Sequence, residues 1–285
     1  MAGFFGFFDF TKPGPGVPKP DEAHPKNGIR IFFEVLQRKF WKIIRVGMLF
    51  FLMNIPAYLA AIFVANYFSF QLLGEIGEPL EILMVLLASA ALLTGLPIIT
   101  IGPVRAGMET VFRNYSREEH SFIWSDFKDS MKANMKQGLI MSLINLIFFI
   151  IIAFDLILIR FMAFNSEIMF ILFNAGFILL FVIYLMMNIY IYPLMVTFEL
   201  NIRNIIKNAF LFAMLRFIPN LLILIIIFVL LLLPFNYLNP IFALIISFLL
   251  IYGIIGFLAS FYAQRGFRKY IMKKIREKEN SKAAE

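Results

Sequence analysis

The sequence predicts an all-α fold, a polytopic membrane helical bundle of about six transmembrane helices with interfacial amphipathic helices. Three observations predict it. Apolar residues make up 61% of the 285 positions, against roughly 45–50% in a soluble domain, and a single water-excluded core of this chain length could not absorb them. Six apolar runs approach or exceed the ~20 residues that cross a hydrocarbon layer of about 30 Å. The basic residues cluster in alternate links between those runs, the pattern of a chain with its cytoplasmic loops marked by Lys and Arg.

The elements follow in order. Residues 1–28 form a cytoplasmic Pro/Gly-rich arm, because the run Thr11 to Val17 with Pro13, Gly14, Pro15, Gly16 and then Pro18 interrupts regular helix or strand. The aromatic cluster Phe4, Phe5, Phe7, Phe8 and Phe10 ahead of it either dips into headgroups or packs on the bundle. A basic n-region and a small-residue cleavage site are missing from this start, so the first span is expected to be retained rather than removed as a signal peptide. Residues 29–45 read as a basic amphipathic helix feeding the first span. Phe32, Phe33, Leu36, Phe40, Ile43 and Ile44 recur near helical spacing, with Arg30, Arg38, Lys39, Lys42 and Arg45 between them. The membrane domain covers 29–262, with spans at about 46–70, 80–100, 138–160, 168–192, 217–235 and 241–262. Pro56 is expected to kink the first, since proline removes a backbone donor and crowds the preceding turn. The basic tail covers 263–285.

Charge placement fixes the expected orientation. Residues 1–45, 101–137, 193–216 and the tail together hold 25 of the 26 Lys and Arg residues, whereas the links 71–79, 161–167 and 236–240 hold none. That places both termini and the larger links in the cytoplasm, and the expected partner surface is a lipid bilayer with anionic headgroups. The formal net charge of +8 is accounted for by these flanking clusters, so no nucleic-acid partner is inferred. The largest link, 101–137, opens on Leu96, Pro97, Ile98, Ile99, Thr100, Ile101, Gly102 and Pro103, where two prolines and a glycine are expected to end the second helix. Phe122, Phe127, Met131 and Met135 then fall near one helical face, a second interfacial or elbow helix, and 201–216 repeats the pattern in shorter form. Both segments follow proline-containing exits, at Pro97 and Pro193, although their identity is too weak to establish a duplication.

Chemistry is sparse. The chain has no cysteine and two histidines far apart, His24 and His120, so disulfide, thiolate and His-rich metal sites are not expected. No phosphate-binding glycine loop precedes a helix, and His120 beside Glu118 and Glu119 reads as a solvated charge cluster. The expectation is a non-enzymatic protein without catalytic, cofactor-binding or metal residues. The polar residues that fall inside spans are the candidates for function. Asp155 is either a proton- or cation-coupling carboxylate or an interfacial group neutralised by Arg160, and its place late in the third span favours the second. Asn145, Asn174 and Asn188 either line a solute path or hydrogen-bond between helices, the commoner use, and Asn54 reads the same way.

A family resemblance covers most of the chain. The segments Phe10-Thr11-Lys12-Pro13-Gly14-Pro15-Gly16-Val17, Arg38-Lys39-Phe40-Trp41-Lys42-Ile43, Leu96 to Pro103, and Phe127-Lys128-Asp129-Ser130-Met131-Lys132-Ala133-Asn134-Met135-Lys136-Gln137-Gly138 together resemble the YesL-like family of bacterial integral membrane proteins, a domain of unknown function. The resemblance implies a location in the bacterial plasma membrane. It also implies an association with carbohydrate uptake systems of the ATP-binding-cassette (ABC) type, beside which members are often encoded. No catalytic residues come with it. The expected role is an accessory or regulatory membrane protein whose partners include ABC transporter subunits. It would dock through Pro97, Gly102, Pro103, Phe127, Lys128, Asn134 and Lys136. The alternative is a solute transporter or permease in its own right. Against a cassette-type permease, the segment Asn201 to Arg216 does not match the expected coupling loop.

Overall fold

A computed structural model describes residues 28–73, 101–161 and 167–272. Among them the chain is helical apart from short turns, and there is no strand. The helices are α1 (Gly28–Leu73), α2 (101–116), α3 (Ile123–Ala133), α4 (Met135–Phe161), α5 (Glu167–Thr197), α6 (Ile202–Leu215), α7 (Phe217–Tyr237), α8 (Pro240–Ile246) and α9 (Tyr252–Phe267). Two single π-turns, Ser247–Ile251 and Arg268–Met272, join α8 to α9 and extend α9. Four stretches among the described residues are long and apolar enough to cross a membrane: Gly28–Phe63, Ile168–Thr197, Phe217–Tyr237 and Phe242–Ile271. The α4 helix, on which the predicted third span falls, has 27 residues and so a length of roughly 40 Å at 1.5 Å per residue. The predicted second span, residues 1–27 of the arm and residues 273–285 of the tail lie outside the described residues, whereas 263–272, assigned to the tail, belong to α9 and its π-turn extension. The chain is therefore an all-helical membrane bundle.

The amphipathic segments and the spans are joined by one device used three times. α1 runs 46 residues with a single non-helical residue, Lys39 (φ −111°, ψ 16°). α3 and α4 are separated by Asn134 alone (φ −101°, ψ 13°). α6 and α7 are separated by Arg216 alone (φ −120°, ψ 38°). Each is a one-residue break after a short amphipathic helix and before a long apolar one, an elbow. Pro56, expected to kink α1, sits within the helix, and the non-helical backbone lies at Lys39 instead. Gly102 and Pro103 lie within α2, while the end of the predicted second span lies outside the described residues, and Pro193 lies inside α5, which continues to Thr197.

Local chemistry explains why the elbow helices start where they do. The Asn201 side chain caps α6 by accepting from the Asn204 N–H at 2.9 Å, satisfying one of the free donors of the first turn. In α3 the Asp126 carboxylate accepts from the Phe122 N–H at 3.1 Å and from the Ser121 hydroxyl at 2.5 Å, the reciprocal half of a capping box. The buried faces then select partners. Phe127, wholly buried on α3, lies under Gly107 of α2, where an added Cβ would come within 2.6 Å of the Phe127 carbonyl. Phe32 of α1 stacks on Phe257 of α9 at 5.5 Å between ring centroids.

Glycine pairs set two of the helix crossings. A Cβ on Gly47 would stand 2.7 Å from the Cα of Gly253, bringing α1 and α9 to backbone contact, and a Cβ on Gly102 would stand 2.1 Å from the Gly138 carbonyl, doing the same for α2 and α4. Small residues at crossings are how helices approach closely where lipid supplies no hydrophobic drive. The third crossing, α7 on α5, is polar. Asn220 is completely buried and its Oδ1 accepts from the Tyr190 hydroxyl at 2.6 Å and the Tyr262 hydroxyl at 2.7 Å. Its amide donates to the Phe212 and Ala213 carbonyls at 3.1 and 3.0 Å. All four hydrogen-bonding positions of that amide are used, and α5, α6, α7 and α9 are joined at one side chain.

These contacts define a ring. Each outgoing helix (α1, α4, α7) follows an elbow and packs on the return helix (α9, α2, α5) of the unit before it, α1 closing on α9. The return helices α2, α5 and α9 bring their ends together at the elbow end of the molecule. That placement positions the candidate site.

Candidate functional site

The return helix α2 and the turn that ends it carry charged residues four apart, Arg105, Glu109, Arg113 and Arg117, which at helical spacing share a face. That face is turned into the bundle. Arg117 is 5% exposed and Glu109 4%. At the elbow end, Arg117 Nη2 donates to Gln264 Oε1 of α9 at 3.1 Å, and Gln264 Nε2 donates to Thr197 Oγ1 of α5 at 3.0 Å. One polar chain thus links the ends of all three return helices, and Gln264 and Thr197 are both buried. Burial, with neighbouring Arg113 adding to it, draws the Arg117 guanidinium down to about 9.

One turn deeper, Arg113 donates to the Val196 carbonyl of α5 and to Asn114 Oδ1. Another turn deeper lies Glu109, next to Ser260 of α9. Burial holds the Glu109 carboxyl up at about 8, against opposing contributions from Ser260, Arg105 and Arg113. Glu109 Oε1 and Ser260 Oγ are both shielded from solvent without completing a hydrogen bond. Deepest of the series, the Arg105 guanidinium lies over the Tyr192 ring of α5 at 4.8 Å, a cation–π contact. The site is a polar column between α2, α5 and α9, with four charged residues from α2 and neutral partners from the other two helices.

A second cluster clamps the elbow of α1 to the loop after α2. Arg38 Nη2 meets Glu118 Oε2 at 2.9 Å, and Lys39 Nζ donates to the Glu119 carbonyl at 2.9 Å while lying 4.3 Å from the Tyr115 ring centroid. Glu118 takes φ 61°, the left-handed region that a non-glycine residue seldom adopts without a reason.

The residues singled out in the sequence fall elsewhere. Asn145 accepts from the Tyr184 hydroxyl at 2.7 Å, joining α4 to α5, and Asn188 donates to the Tyr184 carbonyl at 3.0 Å within α5. Asn174 is half-buried and donates to the Phe170 carbonyl of its own helix at 2.8 Å. Asn54 is wholly buried and donates to Phe50 O at 2.8 Å. The bonds of these four asparagines are helix-internal or helix-to-helix. Asp155 falls on α4, and its side chain lies outside the described residues. Pro97 also lies outside them. Of the candidate docking residues, Gly102, Pro103 and Phe127 are buried in helix contacts, which takes them off the surface. Lys128 and Lys136 are exposed, and Asn134 is half-buried at the elbow, donating to the Ser130 carbonyl at 2.9 Å. Glu109, Arg113, Arg117, Thr197, Gln264 and Asn220 were not among the candidates. For the α2 set, the four-residue spacing of 105, 109, 113 and 117 is the sequence signal that points to a common face. Among the described residues no group of His, Asp and Glu could hold a metal ion.

Residues 57–156 match the family model described as a protein of unknown function, DUF624. The matched stretch contains all four charged residues of α2 and stops short of their partners on α5 and α9. No curated protein and no solved structure matches the chain.

Proposed function

We propose that the chain is a non-enzymatic accessory or regulatory protein of the bacterial plasma membrane that docks, through its elbow end, on an ABC importer of carbohydrate. The observation that carries this reading is the two-sidedness of α3. One side is sealed on the bundle by Phe127, with Thr110 and Ser130 hydroxyls 2.6 Å apart between α2 and α3. The rest of α3 and its flanks present Phe122 and Trp124, 70% and 56% exposed, beside exposed Lys128 and Lys132 of α3 and Lys136 at the start of α4. Exposed aromatic residues beside positive charge, at the end of the molecule where the elbows gather, suit a partner surface of mixed apolar and acidic character. The YesL-like resemblance supplies the class of partner. The basic links support a cytoplasmic location for this end and for both termini. The test is a photo-crosslinking residue at Trp124 or Lys128 in native membranes. Adducts containing an ABC transporter subunit support the reading, and adducts to lipid alone contradict it.

The buried polar column favours a second reading, a solute transporter in its own right. Ionisable groups buried between membrane helices commonly mark a translocation route. Purified protein in liposomes separates the two: solute flux abolished by Glu109→Gln supports the transporter, and absence of flux across candidate sugars leaves the docking role.

A further inference from the structure

Glu109 is buried at the contact between two return helices with no ion pair among the described residues. The cations nearest in sequence are otherwise engaged: Arg105 over Tyr192, Arg113 on the Val196 carbonyl and Asn114, Arg117 on Gln264. From α9 the carboxyl faces only the neutral hydroxyl of Ser260, and the charges bearing on it, Arg105 and Arg113, are both on its own helix. α5 contributes neutral groups to the column, Tyr192, Val196 O and Thr197. An ionised carboxylate sealed from water without a hydrogen-bonded counter-charge is far costlier than the neutral acid.

We propose that Glu109 is a proton-binding site: its carboxyl carries a proton while α2 is closed on α9, and releases it to water when that contact opens. The ligand is the proton itself, and the balance is simple, a carboxylic acid giving a carboxylate and one proton. The elevation of the group to about 8 by burial puts the exchange within reach of cytoplasmic pH. A carboxylate formed in the column would also draw on Arg105 and Arg113, loosening their contacts with α5. Charge on one residue would thereby alter how all three return helices meet.

The test is infrared difference spectroscopy of the full chain in lipid nanodiscs, titrated from pH 6 to pH 10. The expected result is a protonated-carboxyl C=O band at pH 6 that disappears with a midpoint near pH 8. The band is absent from Glu109→Gln and retained in Asp155→Asn, which controls for the acid that falls on the predicted third span. Superimposable spectra of the parent and Glu109→Gln across the range would overturn the proposal. Should Glu109→Gln not fold, Ser260→Ala keeps the carboxyl and removes the hydroxyl that lowers it. A midpoint moved upward then supports the site, and an unmoved midpoint refutes it. Opening is read separately, by hydrogen exchange corrected for intrinsic rate: faster exchange in 257–266 at pH 9 than at pH 7 in the parent supports the coupling, and equal exchange overturns it.

Discussion

Asn220 shows how one amide can serve four partners. Its two acceptor and two donor positions are all matched, and its removal takes the amide partner from two tyrosine hydroxyls and the Ala213 carbonyl in a dry site, the Phe212 carbonyl keeping the Arg216 N–H. A buried polar group left unmatched costs about 1–3 kcal/mol, less where membrane helices find substitutes. Asn220→Ala is therefore expected to destabilise the bundle by about 1–3 kcal/mol in detergent thermal unfolding. Asn174→Ala, which removes only a bond to the carbonyl one turn back in the same helix, should change it by under about 0.5 kcal/mol. Equal effects at both positions would contradict the packing described. Glu109 makes the opposite case, a buried group without a partner. Its carboxyl is raised in the folded chain from an ordinary 4.5 to about 8, so the folded state holds the proton more tightly than the unfolded one. Its contribution is full below about pH 4.5, falls as pH rises through the interval, and levels off above about pH 8. Stability of the parent should decline across that window by up to roughly 1.4 kcal/mol per pH unit. Glu109→Gln should flatten the decline, and an unchanged slope in that variant would show the carboxyl to be ionised already.

At the scale of elements, the crossings depend on the absence of side chains. Gly102 and Gly138 let α2 and α4 touch backbone to backbone, whereas Gly176 on α5 has nothing within 4 Å of an added Cβ. Gly102→Val should force the two helices apart and cost several kcal/mol, seen as loss of folded protein on size exclusion, because the obstructing atom is a carbonyl that cannot swing away. Gly176→Ala should be neutral or raise the melting temperature slightly through helix propensity. A tolerant Gly102→Val would mean that the α2–α4 contact is looser than described. The same crossings explain what could be read from the sequence. Apolar length and helical spacing reveal α4 to α7 and the three amphipathic helices, because those are local properties. The Gly102–Gly138 approach and the Asn220 junction are not local. Nothing in the run Ile218-Pro219-Asn220-Leu221 indicates that the amide will meet tyrosines from two other helices. Residues 105–117 fall in the link 101–137, assigned to the cytoplasm for a related reason. Lys and Arg between apolar runs usually mark water, and only packing against α5 and α9 turns Arg113 and Arg117 inward. Proline inside a helix, as at Pro56, Pro193 and Pro234, is tolerated where neighbouring helices satisfy the freed backbone groups.

Taken together, the described residues form three outgoing helices, each after an elbow, packed on three return helices in a ring. The outer faces of α5 and α7 expose Ile168, Leu172, Ile178, Leu222 and Phe228, as a hydrocarbon solvent requires. The polar chain Arg117–Gln264–Thr197 lies where the return helices meet at the elbow end. Both functional readings place their action at that end, and both need it to face the cytoplasm. The chain has no native cysteine, so single substitutions report sidedness without background. The decisive measurement is labelling of intact cells with a membrane-impermeant maleimide after Asn239→Cys, between α7 and α8, or Lys128→Cys, on α3. Asn239→Cys is expected to label in intact cells and Lys128→Cys only after the membrane is opened. Labelling of both positions from the same side would contradict the spanning bundle on which the account rests.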